Sequence, residues 1–206
     1  MKEKNFKLRY DLSIITSLIE TGSKVLDLGC GEGDLLSFLK KNRNVSGVGI
    51  ECVESKVAKC IERGLSVLQG DINQEILDYP DTFFDYVILS QTLQQVYDPP
   101  KLILELMRVG KKGIVSFPSF SHWQVRLQLL LNGRAPVTKQ LPYSWYNTPN
   151  IRVMTLKDFR EFAKKVGFQI FKETAINIGV RRQKGTIIHF LPDFRANYGI
   201  YLIGKA

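Results

Sequence analysis

The run VLDLGCGEG at residues 25–33 is the most informative part of this sequence. An apolar run over residues 24–28 predicts a short buried strand, and the leucines that follow Asp34 predict a helix over residues 34–40. Between them stand glycines at positions 29, 31 and 33, which permit a tight turn and a close backbone approach to a ligand. The free N–H groups at the start of such a helix favour an anionic ligand group. The stretch therefore predicts a nucleotide-type binding loop.

Outward from this loop, short apolar runs alternate with helical patterns, which indicates βαβ units on a parallel sheet. Strands are predicted over residues 45–50, 66–69, 85–89 and 113–117, and helices over 11–20, 53–63, 101–109 and 156–166. Residues 168–178 and 198–203 predict two final strands with no crossover helix between them. The expected fold is α/β and Rossmann-like, with a mostly parallel seven-stranded sheet and one antiparallel edge strand.

Residues 118–150 break this alternation, because they are rich in aromatic residues, Pro and Gly and contain one amphipathic piece near 123–131. We expect this segment to be a lid inserted after the fifth strand. The whole chain, residues 1–206, is predicted to be one domain.

Polar residues follow the strands at the positions where ligands of open α/β sheets bind. We interpret the ligand as S-adenosylmethionine, with its methionine carboxylate at the helix start and its amine facing Asp27. Glu51 is placed to accept from ribose hydroxyls, Asp71 from the adenine amino group, and Ile72 to pack on the ring. The predicted cofactor-binding residues are Asp27, Gly29, Cys30, Gly31, Gly33, Glu51, Cys52, Asp71, Ile72, Ser90 and Gln91.

Two alternatives to this interpretation stay open. The dinucleotide-binding loop has the pattern GxGxxG, but here Asp34 stands at the sixth position, which disfavours NAD. Alternatively, the glycines are ordinary turn residues, Glu51 is a surface acid and Asp71 is a turn residue.

Composition narrows the classes of protein further. The net charge is +9 and the basic residues are spread thinly, including Arg181 and Arg182 near a late loop, so nucleic-acid binding is disfavoured. No apolar run approaches the length of a membrane helix, and residues 1–7 lead into no secretory signal. The three cysteines show no CxxC spacing, which predicts buried free thiols, no metal site and a reducing, cytoplasmic location.

Residues 27–33 resemble motif I of class I S-adenosylmethionine-dependent methyltransferases, and Glu51, Asp71 and Ser90 align with the later motifs of that class. The chain is more similar still to the MetW family of methionine biosynthesis proteins. The similarity covers roughly residues 8–175 and is carried by the following runs: VLDLGCGEG at 25–33, SQTLQ at 90–94, RVG at 108–110, SFP at 116–118, HW at 122–123, GR at 133–134, LPY at 141–143, WY at 145–146 and TPN at 148–150. The resemblance implies a methyltransferase-like fold and a place in methionine synthesis alongside homoserine O-acyltransferase.

Two functional hypotheses follow. In the first, the protein transfers a methyl group to a small-molecule acceptor under the lid and leaves S-adenosylhomocysteine as product. His122 is then the candidate base, because its ordinary pKa lies near neutral pH, although it also fits a helix-start residue packed beside Trp123. In the second, the protein is a non-catalytic sensor of S-adenosylmethionine that tunes homoserine O-acyltransferase. The residues expected to contact a substrate or partner are Tyr143, Trp145, Tyr146 and Asn150.

Overall fold

The computed structural model describes residues 8–179 and 183–205; residues 1–7 and the Arg181–Arg182 pair lie outside the described residues. Eight strands of this part of the chain form one sheet in the order β3-β2-β1-β4-β5-β8-β6-β7. The strands are β1 Lys24–Leu28, β2 Ser46–Glu51, β3 Ser66–Gln69, β4 Phe84–Ser90, β5 Gly110–Pro118, β6 Phe168–Ile178, β7 Gly185–Ile187 and β8 Tyr198–Lys205.

The α-helices of the described residues connect and cover these strands. They are α1 Tyr10–Ser17, α2 Asp34–Arg43, α3 Glu54–Glu62, α4 Ile72–Glu75, α5 Pro99–Val109, α6 Trp123–Asn132, α7 Leu156–Val166 and α8 Pro192–Arg195. Local chemistry explains several of the boundaries. For example, the Asp98 carboxylate caps α5, which begins with two prolines, and Thr155 and Asp158 form a capping box at α7.

The predicted fold class is confirmed. Strands β1 to β5 are parallel, and β8 runs antiparallel between β5 and β6. The strand count differs by one from the predicted seven. The segment between β6 and β8 contains the short strand β7, which pairs antiparallel with β6 at the sheet edge. Three residues are too few to show the alternation from which a strand is predicted.

The core lies on both faces of the sheet because alternate residues of each central strand point to opposite sides. Leu26, Val87 and Val115 belong to one apolar cluster, which α5 and α7 cover. Val25, Ile88 and Ile114 belong to a second cluster on the other face, which α1 and α2 cover. With both faces covered, the carboxyl ends of the parallel strands are left as the place for a ligand.

The segment after β5 begins with helix α6 and continues without regular secondary structure to α7. This is the segment predicted as an insertion over residues 118–150. Its helix, Trp123–Asn132, matches the amphipathic piece expected near residues 123–131.

Candidate functional site

A cleft of about 240 Å³ opens at the carboxyl ends of β1 and β4. Its walls come from the start of α1, the end of β1, the glycine loop, the start of α2, and one residue each from α3 and β4. The lining residues are Arg9, Leu12, Asp27, Gly29, Cys30, Gly31, Glu32, Asp34, Leu35, Lys56 and Ser90. The structure therefore brings together five of the predicted cofactor-binding residues: Asp27, Gly29, Cys30, Gly31 and Ser90.

The loop between β1 and α2 depends on its glycines. Gly29, Gly31 and Gly33 have φ angles of 77°, 59° and 77°, in the left-handed region that favours glycine. A Cβ at Gly29 would lie 2.7 Å from the Thr92 hydroxyl oxygen, whereas a Cβ at Gly31 would meet nothing within 4 Å. Gly31 therefore needs glycine for its backbone angle alone, and the space beside it is open to the cleft.

Glu51 holds this loop against the end of β2. Its buried carboxylate accepts hydrogen bonds from the Gly31 N–H at 2.9 Å and from the Val53 N–H at 3.0 Å. The Ile50 carbonyl accepts two more, from the N–H groups of Gly29 and Cys30. Glu51 thus fixes the position of the glycine loop, although it is not among the residues that line the cleft.

Asp27 is the most perturbed acid of the cleft. It is 3% exposed, and burial, reinforced by the nearby charge of Glu51, raises the pKa of its carboxyl to about 7. An adjacent positive charge would favour the ionised form. The cleft floor is therefore suited to a cationic ligand group.

Helix α1 is joined to the loop after β4 at the rim of the cleft. The Asp11 carboxylate is buried and accepts from the Arg9 guanidinium and, at 2.6 Å, from the side-chain amide of Gln91. Gln91 itself has a left-handed φ of 55°, a strained conformation of the kind that clusters at functional sites. Ser90, the residue before it, shares a 3.0 Å hydrogen bond between hydroxyl oxygens with Ser116 of β5.

Six predicted cofactor-binding residues lie outside the cleft lining: Gly33, Glu51, Cys52, Asp71, Ile72 and Gln91. Asp71 is exposed and caps the short helix α4 by accepting from the Asn73 N–H at 2.9 Å; Ile72 follows it in that helix. Cys52 is exposed, contrary to the expectation of buried thiols, because it follows β2 where the chain turns outward into α3. Cys30 and Cys60 are buried, and burial raises the pKa values of both thiols.

The structure does not place His122 at the cleft. Its Nδ1 accepts from the Gln124 N–H at 3.3 Å and caps α6, while burial lowers the pKa of the imidazole. The ring therefore stays neutral at physiological pH, with its proton on Nε2. This is the packing arrangement beside Trp123, whose ring centroid lies 5.8 Å away.

The predicted substrate or partner residues are mostly on the surface. Tyr143, Trp145 and Tyr146 are 47%, 78% and 72% exposed, and the rings of the last two make an edge-on contact at 5.8 Å. The Asn150 N–H donates to the Thr148 hydroxyl in a local turn. None of the four lines the cleft.

Sequence reasoning missed several residues that build the site. Lys56 and Leu12 line the cleft, and Asp11 and Thr92 fix its rim. Position in a helix gives no signal that a residue will face a ligand loop from another part of the chain. An aspartate in the first turn of a helix, such as Asp11, is common because the helix dipole favours a negative charge there. Its position in the sequence therefore does not indicate that it belongs to a binding site.

Among the described residues, no helix is long and apolar enough to cross a membrane, and no group of three or more His, Cys, Asp or Glu side chains is arranged to hold a metal ion.

Comparison with known proteins identifies a family to which this chain is similar. The model of a family described as "Methionine biosynthesis protein MetW" matches residues 9–203. The match extends beyond residue 175, where the resemblance seen in the sequence ended, through the last strands.

Two individual relatives are similar to this chain over most of its length. The "Bifunctional methionine biosynthesis protein MetXA/MetW" of Rhodopirellula baltica is 35% identical over 175 residues, which are 81% of this chain and 28% of that protein. This chain thus spans less than two thirds of that relative's length. The 2-phytyl-1,4-naphtoquinone methyltransferase of Nostoc punctiforme is 30% identical over 183 residues, covering 78% of each chain.

A solved structure shares the fold. The crystal structure of an S-adenosylmethionine-dependent methyltransferase from Thermotoga maritima superposes with a TM-score of 0.68, at 17% identity, and covers 95% of this chain and 87% of that one. At this identity the likeness concerns the fold alone.

Proposed function

This chain belongs to the MetW family of methionine biosynthesis proteins, and on that premise we propose that it binds S-adenosylmethionine in the cleft above β1 and works with homoserine O-acyltransferase in the cytoplasm. We further propose that residues 1–206 act as one domain in which residues 118–150 serve as a lid.

The observation that carries the cofactor proposal is the state of Asp27. A buried carboxyl with a pKa near 7 faces a cleft and is poised to become a stable carboxylate beside a cation. S-adenosylmethionine brings an ammonium group and a sulfonium, so its amino-acid end fits this floor. The open space beside Gly31 leaves room for a ligand against the loop backbone.

The remaining contacts follow from the same orientation. Arg9 and Lys56 line the cleft and are available to the ligand carboxylate, together with the first turn of α2. Glu51 and Asp71 would meet the ribose and adenine. Asp71 Oδ1 already accepts from the Asn73 N–H and side-chain amide, and Glu51 Oε1 from the Val53 N–H and the Cys52 thiol. The ligand would therefore meet the other oxygens, Asp71 Oδ2 and Glu51 Oε2, and Glu51 Oε2 keeps a second lone pair beside its hydrogen bond from the Gly31 N–H.

Methyl transfer to a small-molecule acceptor is the first candidate activity, and the 30% identity to the Nostoc methyltransferase over most of both chains favours it. The bound cofactor supplies an electrophilic methyl group, and the protein has to supply position and a dry site. His122 would act as a base only if the lid brought an acceptor to it and its Nδ1 gave up the hydrogen bond from the Gln124 N–H, because it lies outside the cleft lining.

Sensing is the second candidate, and the Rhodopirellula relative favours it, because its name joins MetXA and MetW in one protein. In this case S-adenosylmethionine, which is made from methionine, would occupy the cleft and alter the activity of homoserine O-acyltransferase. No methyl group would be transferred.

The decisive experiment for the cofactor is calorimetric titration with S-adenosylmethionine and with S-adenosylhomocysteine. We compare the wild type, Asp27→Asn and, as a matched control, Glu54→Gln, an exposed acid in the first turn of α3. We expect micromolar binding by the wild type and the control and a loss of at least tenfold in Asp27→Asn. Failure of the wild type to bind either ligand would refute the proposed cofactor.

An assay of acyltransferase activity distinguishes the two candidate functions. If the protein is a sensor, adding it should change the acyltransferase rate in proportion to cleft occupancy, and the cofactor should be recovered unchanged. If it is a methyltransferase, S-adenosylhomocysteine should accumulate with turnover when a suitable acceptor is supplied.

A further inference from the structure

Helix α6 turns a row of large apolar side chains to the solvent. Trp123, Leu127, Leu130 and Leu131 are 40%, 43%, 80% and 70% exposed. Their spacing of four, three and one residues places them on one side of the helix. Val125, the single buried residue of α6, lies on the opposite side, where Leu129 is 56% exposed. We call these four residues the outer stripe.

This arrangement reverses the usual one, in which the apolar stripe of a surface helix faces the core of its own protein. A contiguous apolar patch left on the surface commonly marks an interaction site. The outer stripe also borders a concavity. Trp123 and Leu127 form one wall of a groove of about 860 Å³, and Val137 and Pro142 contribute to its lining.

The charge around the outer stripe has one sign. Residues 106–157 contain no Asp or Glu, while Arg126, Arg134, Lys139 and Arg152 all fall within the insertion or directly after it. Lys139 also lines the groove. A complementary surface would therefore have an apolar centre and a carboxylate-rich rim.

We propose that the outer stripe is the surface on which homoserine O-acyltransferase docks, with α6 lying in an apolar groove of the partner that is edged by acidic residues. This inference rests on the proposed partner. The Rhodopirellula protein supports that occupant, since its name joins MetXA to MetW in one protein and the part similar to this chain is 28% of its length. Recognition of a helix through residues four and seven positions apart is a common mode of docking.

A membrane surface is the other class of partner that an exposed apolar helix suggests. Helices that lie on membranes carry many Lys and Arg residues on their polar face. Helix α6 has one, Arg126, and its other polar residues are Gln124, Gln128 and Asn132. The side of α6 that would face away from the partner is thus nearly uncharged, which favours a protein groove.

The test uses the full chain and the separately purified acyltransferase of the same organism, with affinity measured by biolayer interferometry. The double variant Leu127→Glu/Leu130→Glu places two negative charges in the outer stripe. The control is Leu104→Glu, which adds a charge at a leucine of α5 that is 50% exposed. We expect the double variant to bind at least 30-fold more weakly and the control to bind within twofold of the wild type. Far-ultraviolet circular dichroism and S-adenosylmethionine titration show that both variants remain folded.

The outcomes distinguish this inference from the function on which it rests. If the wild type does not bind the acyltransferase, the proposed partner is wrong, while the cofactor proposal stands on its own titration. If the wild type binds and the double variant binds equally well, only the docking surface is wrong. Two other results would also overturn it: flotation of the wild type with anionic vesicles that the double variant abolishes, or a wild-type homodimer that the double variant dissociates.

Discussion

Asp27 lies in surroundings that disfavour its charged form. Burial opposes its negative charge, and the carboxylate of Glu51 nearby opposes it further, so the pKa rises to about 7. A cationic ligand reverses the balance, because the ion pair forms where little water competes. The ligand-free protein therefore carries a cost at this residue that binding relieves.

The first prediction concerns the pH dependence of binding. Between about pH 6 and about pH 7.5 the affinity for S-adenosylmethionine should increase with pH, because binding requires Asp27 to release its proton. Calorimetry in two buffers of different ionisation enthalpy should detect that release. Asp27→Asn should bind at least roughly tenfold more weakly and lose the dependence. An affinity that is flat with pH in the wild type would contradict this role of Asp27.

The second prediction concerns stability without ligand. The folded-state pKa of Asp27 lies above its ordinary value of 3.8, so ionisation is harder in the folded than in the unfolded state. The contribution of Asp27 to the free energy of unfolding should fall as pH rises from about 4 to about 7, because the folded state holds this proton more tightly than the unfolded state. Asp27→Asn should therefore melt roughly 5–10 °C higher than the wild type above pH 7 and at nearly the same temperature at pH 4. A lower melting temperature for the variant at pH 8 would show that the carboxylate stabilises the fold.

At the scale of elements, the orientation of α1 depends on one buried acid. Asp11 receives the Arg9 guanidinium from its own helix start and the Gln91 amide from the loop after β4. It thereby fixes both the helix and the strained residue beside the cleft. Arg9 can contribute to the cleft wall only while this arrangement holds.

The third prediction is that Asp11→Asn destabilises the protein by roughly 1–3 kcal/mol, because the neutral amide no longer pairs with the Arg9 charge and its NH₂ group meets the Arg9 Nε–H where Oδ1 accepts now. Urea unfolding measures this change. S-adenosylmethionine binding should weaken as well, since Arg9 is released. Thr155→Ala is a useful comparison because it removes the α7 cap, which also costs about 1 kcal/mol, without touching the cleft. If Asp11→Asn and Thr155→Ala bind S-adenosylmethionine equally well, the orientation of α1 does not affect cofactor binding.

At the scale of the whole molecule, the net charge of +9 and the absence of acidic residues over positions 106–157 give the insertion a positive field. Such a field accelerates the approach of an acidic partner. In the proposed docking, the basic surface would speed the approach of the partner and the apolar outer stripe would slow its release.

The fourth prediction follows from this division. Raising sodium chloride from about 0.05 M to about 0.5 M should lower the association rate with the acyltransferase roughly tenfold, while the dissociation rate changes little. Stopped-flow or interferometry measures both rates. An association rate that does not change with salt would indicate a partner surface without net negative charge.

Local sequence patterns were enough to predict the main strands and helices and the glycine loop. Strand and helix periods and the spacing of Gly29, Gly31 and Gly33 are local properties, so they could be predicted without knowledge of the fold. The short runs of sequence that carry the resemblance to the MetW family are also local, so they could be recognised without the fold. The same locality explains why the three-residue β7 was missed.

Which side chains meet could be learned only from the folded chain. Asp11 and Gln91 are 80 residues apart, and nothing in their surroundings along the chain marks them as a pair. The apolar spacing in α6 predicted an amphipathic helix, but periodicity is the same whether the apolar face is turned inward or outward. The exposure of the outer stripe and the burial of His122 were settled by how the segment after β5 packs on the sheet, because burial is a property of long-range contacts.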